Sequence, residues 1–141
     1  MRSHSEQVKR NLLRIAHWVM DEDGDNRVVW LQRTALPFGS LDEVAAANGQ
    51  VVQKFAPHHR QWGIVVDMAG APARNDPEFE SAMRSLRAAV EVSFARTAVL
   101  LGTQVGVLQV KRITREDSAG SYATVNRQAA LRFARGLPVA G

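Results

Sequence analysis

The chain alternates short apolar runs with polar segments. The first two runs, Leu12 to Met20 and Arg27 to Arg33, are rich in Leu, Ile, Val and Trp and flank Asp21-Glu22-Asp23-Gly24-Asp25-Asn26. This strongly polar segment contains turn formers and is too polar to be buried. The pattern predicts an N-terminal β-hairpin with an acidic turn.

Two helix starts are marked in the first half of the chain. Ser40 followed by Glu43 is typical of a capping box, and apolar residues then recur at helical spacing until Pro57. Asp76 followed by Pro77 predicts the start of a second helix, whose inward face carries Phe79, Met83, Leu86, Val90 and Phe94.

Two further helices are predicted in the second half. Thr103 is the expected cap of a helix that reaches about Arg115 and carries the apolar residues Val105, Leu108 and Ile113. Asn126 is the expected cap of a last helix, with Ala130, Phe133 and Ala134 facing inward.

Three apolar runs between these helices read as buried strands: Trp62 to Met68, Thr97 to Leu101, and Tyr122 to Val125. Strands that alternate with helices favour parallel pairing. We therefore predict an α/β fold of order ββαβαβαβα, with a mostly parallel four- to five-stranded sheet, an N-terminal β-hairpin and four helices.

Composition narrows the class of protein. A length of 141 residues with 45% apolar and 23% charged residues predicts one globular domain, placed at residues 10–137 with flexible termini at 1–9 and 138–141. The chain shows no membrane-spanning run and no secretory signal at its start, and it has no cysteine, so we expect a cytoplasmic protein without membrane insertion or thiolate chemistry. The net charge of +4 comes from scattered arginines, and we expect no nucleic-acid binding.

The element order, the strand that ends in Asp67 before a loop and a capped helix, and the terminal Tyr122-Ala123-Thr124-Val125 strand with its helix resemble the STAS-like fold of anti-sigma-factor antagonists. The resemblance covers about residues 10 to 137. It implies a non-enzymatic, regulatory protein-interaction module that binds another protein of a regulatory assembly or a second copy of this chain. No cofactor is implied.

One departure limits what the resemblance carries over. The antagonists have a phosphorylatable serine at the start of their second helix, whereas the loop here, residues 68–77, contains no hydroxyl, and the first one, Ser81, lies a turn into the helix. A serine switch is therefore not expected. The same loop can still meet a partner, and its predicted contact residues are Arg74, Asn75, Asp76 and Glu78.

An alternative function is small-ligand binding, of a nucleotide or a lipid, at the start of the Thr103 helix. The candidate residues are Asp67, Thr103, Gln104 and Gly106. A helix start attracts anions, although the third glycine and the lysine of a phosphate loop are missing.

The sequence supports metal binding and catalysis less well than it supports protein or ligand binding. The acidic turn lacks the glycine and the glutamate of a calcium loop, and the adjacent His58 and His59 are expected to be solvated, so we predict no metal site. Asp67 is expected to accept backbone hydrogen bonds at a strand end. Neither Thr103 nor Ser81 has a predictable histidine partner, and we therefore expect no enzyme activity.

Overall fold

The computed structural model describes residues 9–74, 76–116 and 121–139, with residues 114–116 described by their backbone alone. These residues form one six-stranded sheet and four α-helices. The strands are β1 (Lys9–Arg14), β2 (Trp18–Asp23), β3 (Val28–Arg33), β4 (Gly63–Asp67), β5 (Arg96–Leu100) and β6 (Tyr122–Thr124). The helices are α1 (Leu41–Gln53), α2 (Pro77–Ser93), α3 (Gln104–Glu116) and α4 (Arg127–Ala134), and a short 3₁₀ helix spans Pro57–Gln61.

The strands lie in the sheet in chain order, from β1 to β6. The pairs β1/β2 and β2/β3 are antiparallel, and the other three neighbouring pairs are parallel. The α/β class, the four helices and the mostly parallel pairing are therefore confirmed. The predicted strand number of four to five is wrong, because the described sheet has six.

The helices divide between the two faces of the sheet. Right-handed crossovers that all step in one direction place α1, α2 and α3 on one face, and α4, which follows the last strand, covers the other. The first face packs a core that includes Trp18, Leu31 and Ile64. The second packs Trp30 and Val65, with other residues, against α4.

The extra strand comes from the N-terminal region. The run Leu12 to Met20 is not one strand, because a bend at residues 15–17 separates β1 from β2, and the Ile15 amide donates to the Trp18 carbonyl at 2.9 Å. The acidic segment is also not all turn. Asp23 ends β2, is only 3% exposed, and accepts hydrogen bonds from the Asn26 backbone amide (3.2 Å) and side-chain amide (2.7 Å). Burial of this carboxylate is tolerated because both of its oxygens are bonded.

The predicted helix starts are confirmed in each of the four described α-helices. In each case a side-chain oxygen accepts the backbone N–H three residues further on, which satisfies a donor that the helix itself leaves free. The four bonds are Ser40 to Glu43 (3.1 Å), Asp76 to Phe79 (3.2 Å), Thr103 to Gly106 (3.0 Å) and Asn126 to Ala129 (2.9 Å).

The apolar residues of α3 are not equally buried. Val105 and Leu108 are 74% and 66% exposed, and among the residues of this helix whose side chains are described the buried one is Val107, at 5%. The helix is oriented so that Val107 packs against the rest of the fold, and α3 does not pack closely against α2. A cleft consequently opens between the two helices.

The two ends of the described chain are attached to the fold. Lys9, expected in the flexible N-terminus, belongs to β1. At the other end the Leu137 amide donates to the Arg132 carbonyl at 2.9 Å, and Arg132 Nε donates to the Pro138 carbonyl at 2.8 Å. Among the described helices, none combines the length and the apolar character needed to cross a bilayer.

Candidate functional site

A cleft of about 510 Å³ lies between α2 and α3; we call it the α2–α3 cleft. Its floor is the face of β4 and β5 that α1 and α2 leave uncovered, and it includes Val66, Thr97 and Val99. The two loops that follow these strands, residues 68–74 and 101–103, form its rim. The cleft therefore lies at the carboxyl ends of parallel strands, where open α/β sheets commonly bind ligands.

The walls of the cleft are mainly apolar. The apolar residues are supplied from α2 by Phe79, Met83, Leu86 and Val90, and from α3 by Val105, Gly106, Val110 and Ile113. The polar residues of the two helices that also line the cleft are Glu80, Arg87, Glu91 and Gln109. A volume of ~300–1,000 Å³ with apolar walls and few polar groups is typical of small-molecule sites. The cleft fits this description.

Arg74, a predicted contact residue, lies at the rim. Its Nε and Nη2 donate to the two carboxylate oxygens of Asp76 at 2.6 and 3.3 Å, and its guanidinium lies 4.7 Å from the centre of the Phe79 ring. The hydrogen bond with Asp76 raises the pKa of Arg74, and the same bond lowers the pKa of Asp76. Because Asp76 also caps α2, Arg74 supports the start of that helix.

The other predicted contact residues are Glu78, which is described, and Asn75, which is not. Glu78 is exposed in the first turn of α2, on the same side of the molecule as Arg74. Asn75 lies outside the described residues. Glu80 lies in the first turn of α2, and its carboxylate is 4.0 Å from Arg112 Nη2 of α3, so these two long side chains approach each other across the cleft.

The start of α3 contributes only part of the predicted ligand set. Thr103 and Gly106 line the cleft, whereas Gln104 is exposed and does not. The Thr103 hydroxyl already accepts the Gly106 amide at 3.0 Å. One of the donors that an anion would use is therefore occupied by the protein itself.

Asp67 is separated from the other predicted ligand residues. It is 7% exposed and faces the α4 side of the sheet, where Oδ1 accepts the Ala69 amide at 3.0 Å and Oδ2 accepts Arg127 Nη1 at 3.2 Å. The Arg127 guanidinium in turn lies 4.4 Å from the centre of the Trp30 ring. The expected role of Asp67, an acceptor of a backbone amide at a strand end, is confirmed.

A second polar cluster joins β2 to the 3₁₀ helix. Glu22 Oε2 lies 2.9 Å from His58 Nε2 and 2.7 Å from His59 Nε2, and Glu22 Oε1 accepts Arg10 Nη2 at 2.9 Å. The expectation that both histidines are solvated is wrong, because His59 is fully buried. Burial alone would raise the pKa of Glu22, but the hydrogen bonds from His59, His58 and Arg10 lower it to about 2. Burial lowers the pKa of His59.

The spacing of this cluster suits a metal ion, since its ligand atoms all lie within 4.8 Å of one another. The hydrogen bonds of His59 do not suit a metal ion. The Ala56 amide donates to His59 Nδ1 at 3.0 Å, which makes Nδ1 the acceptor and leaves the proton of the neutral ring on Nε2. A metal on Nε2 would require the other tautomer, whose Nδ1–H would oppose the Ala56 N–H. The cluster is therefore a hydrogen-bonded brace between two elements.

Sequence reasoning missed the cleft, because it forms only when two helices that are each amphipathic fail to meet. Hydrophobic spacing shows that α3 has an apolar face, but not how far that face lies from α2. Comparisons with protein-family models, with curated protein sequences and with solved structures find no match to this chain.

Proposed function

We propose that this chain is a non-enzymatic binding module of the STAS-like type, and that it binds a small, mainly apolar ligand in the α2–α3 cleft. The observation that carries the proposal is the cleft itself, about 510 Å³ with apolar walls at the carboxyl ends of β4 and β5. An apolar surface of this size is costly to leave in water, and a ligand that covers it gains the corresponding free energy.

The STAS-like assignment is favoured by connectivity. From β3 onward each strand is followed by a helix and pairs in parallel with the next, and the last helix lies on the other face. A non-enzymatic role is favoured because two of the three polar groups considered for chemistry, Asp67 and Thr103, are engaged elsewhere. Asp67 is bound by Ala69 and Arg127, and Thr103 caps α3.

Of the two ligand classes considered, the cleft favours a lipid-like molecule over a nucleotide. In the first turn of α3 the Gly106 amide is bonded to Thr103, and the rim cation Arg74 is held by Asp76. A phosphate group would have to compete with the protein for this amide and this cation.

A fluorescence titration with N-phenyl-1-naphthylamine, an uncharged apolar probe, tests the proposal. We expect saturable binding to the wild-type protein and a loss of about tenfold or more in Val99→Phe, since filling the floor removes at least ~1.4 kcal/mol of contact. Val92→Phe adds the same volume on α2 at a site that is 75% exposed and outside the cleft, and it should bind like wild type. Equal binding by all three folded proteins, or no saturable binding, would contradict the proposal.

A second candidate function is protein interaction, favoured by the apolar residues that α3 exposes beside the cleft. Val105 and Leu108 lie on successive turns, and Arg74, which is bonded to Asp76, lies at the rim of the same cleft. The partner would be another protein or a second copy of this chain. Light scattering at increasing concentration and capture of partners, each with wild type and Leu108→Asp, test this candidate. Retention of the same partner by both proteins would contradict it.

A further inference from the structure

The floor of the α2–α3 cleft is apolar except at one end. Thr97 of β5 is 9% exposed and lines the floor, and Ser121, which precedes β6, lines the same cleft. Ala98 pairs with Tyr122, so the same register extended by one residue places Ser121 beside Thr97. Side chains next to each other in parallel strands point to the same face. Two hydroxyls therefore lie side by side at this end of the floor.

The Ser121 hydroxyl oxygen is buried and has no hydrogen-bond partner among the described residues. Buried polar groups are bonded in most proteins, and one without a partner calls for an explanation. A ligand that brings a hydrogen-bonding atom to this end of the cleft provides one, because it removes the cost of leaving the hydroxyl unpaired.

The charged side chains that line the cleft carry both signs, which favours an uncharged ligand. They are Arg74, Glu80, Arg87 and Glu91. Arg74 is bound to Asp76 through two hydrogen bonds, and Glu80 approaches Arg112. An ionised headgroup would meet a like charge as well as an opposite one, whereas a ligand hydroxyl or carbonyl suits the two hydroxyls.

Building on the proposed function, we propose that the cleft binds a neutral amphiphile. The ligand has one unbranched apolar chain and a single hydroxyl or carbonyl group that hydrogen-bonds to Ser121 beside Thr97. The chain lies over Val66 and Val99, between α2 and α3. The polar group marks the end of the molecule that enters the cleft.

Competition against bound N-phenyl-1-naphthylamine tests this inference, with decanol and decanoate at about pH 8, where a carboxylic acid is ionised. Decanol should displace the probe at a lower concentration than decanoate. Ser121→Ala should weaken decanol by about five- to tenfold, the usual effect of one hydrogen bond. Ser81→Ala, an exposed change on α2 outside the cleft, should leave both ligands unchanged.

The outcomes separate this inference from the proposed function. If decanol and decanoate compete equally and Ser121→Ala changes neither, the neutral headgroup is overturned while a cleft sensitive to Val99→Phe remains. If neither ligand competes and Val99→Phe has no effect on the probe, the proposed function fails as well. A loss of decanol binding in Thr97→Val that is smaller than the loss in Ser121→Ala would indicate that the Thr97 hydroxyl also contacts the ligand.

Discussion

Glu22 shows how a single residue can join parts of the fold that sequence spacing keeps apart. It lies in β2, and its partners His58 and His59 follow 36 and 37 residues later in the 3₁₀ helix. Nothing in the local pattern around His58 and His59 indicates this contact. The burial of His59 could not be predicted from sequence, because it depends on where a distant strand places its carboxylate.

The ionisation of Glu22 should make the free energy of unfolding depend on pH in the acid range. Its folded-state pKa of about 2 lies below the ordinary value of 4.5, so its contribution is complete above pH 4.5 and is lost as the pH falls toward 2. The contribution is on the order of 2 kcal/mol after allowance for partial exposure. Urea unfolding followed by circular dichroism across this range should show the loss in wild type and a flatter profile in Glu22→Gln.

Glu91→Gln is the matched control for this measurement, because Glu91 is exposed on α2. It should keep the wild-type acid profile. An acid profile of Glu22→Gln as steep as that of wild type would show that the brace does not control this pH range. The lowered pKa of His59 adds an earlier loss that begins as the pH falls below its ordinary value of 6.5.

Gly63, the first residue of β4, has no room for a side chain. A Cβ at this position would overlap the carbonyl oxygen of Ala134 at the end of α4, an oxygen that also accepts Arg96 Nε at 2.9 Å. We expect Gly63→Ala to lower the free energy of unfolding by about 3 kcal/mol or more, since α4 must move away from the sheet. Chemical denaturation measures the change.

Gly49 provides the opposite case. It lies within α1, and a Cβ there would meet no atom within 4 Å. Gly49→Ala should stabilise the protein by roughly 0.5–1 kcal/mol, because glycine inside a helix costs conformational entropy. Destabilisation by both substitutions to a similar degree would refute the close approach at Gly63.

At the scale of elements, what the sequence predicted depended on local chemistry. Ser40, Asp76, Thr103 and Asn126 were predictable as caps because each acts on an amide only three residues away. The break between β1 and β2 was not, because the bend at residues 15–17 contains none of the usual turn residues. The orientation of α3 was not predictable either, since its apolar residues cover more than one side.

The orientation of α3 can be tested by a pair of truncations. Val107→Ala should cost about 2 kcal/mol, the value of a buried valine side chain, whereas Leu108→Ala should change the free energy of unfolding by less than about 0.5 kcal/mol. The larger side chain thus has the smaller effect, because Leu108 is 66% exposed and Val107 is 5% exposed. The reverse order of effects would contradict this orientation of α3.

At the scale of the whole molecule, the sheet separates two cores that differ in what covers them. Trp18 belongs to the core under α1 and α2, and Trp30 belongs to the core under α4. The cleft opens on the first face only, beyond α2. The candidate site is thus a property of the assembled sheet and two helices, which explains why individual motifs did not reveal it.

The two cores should unfold together if the chain is one domain, as its length predicts. Two proteins that each retain one of these tryptophans, with the other and Trp62 replaced by phenylalanine, report on the cores separately. Their fluorescence transitions in urea should coincide with each other and with the loss of circular dichroism. The fluorescence transition of each protein is compared with the circular dichroism transition of the same protein, which controls for the effect of the substitutions. Different midpoints of the two transitions in one protein would indicate that the cores unfold independently.

The sheet adds its strands in the order in which they occur along the chain. During synthesis, therefore, each new strand emerges next to the strand it will pair with, and no strand must wait for a later one to fill a gap between them. Pairing partners are close in sequence, which shortens the loops that must close and favours rapid folding. The helix that covers the second face, α4, is the last of the described helices to be made. The second face of the sheet is therefore the last to be protected from water.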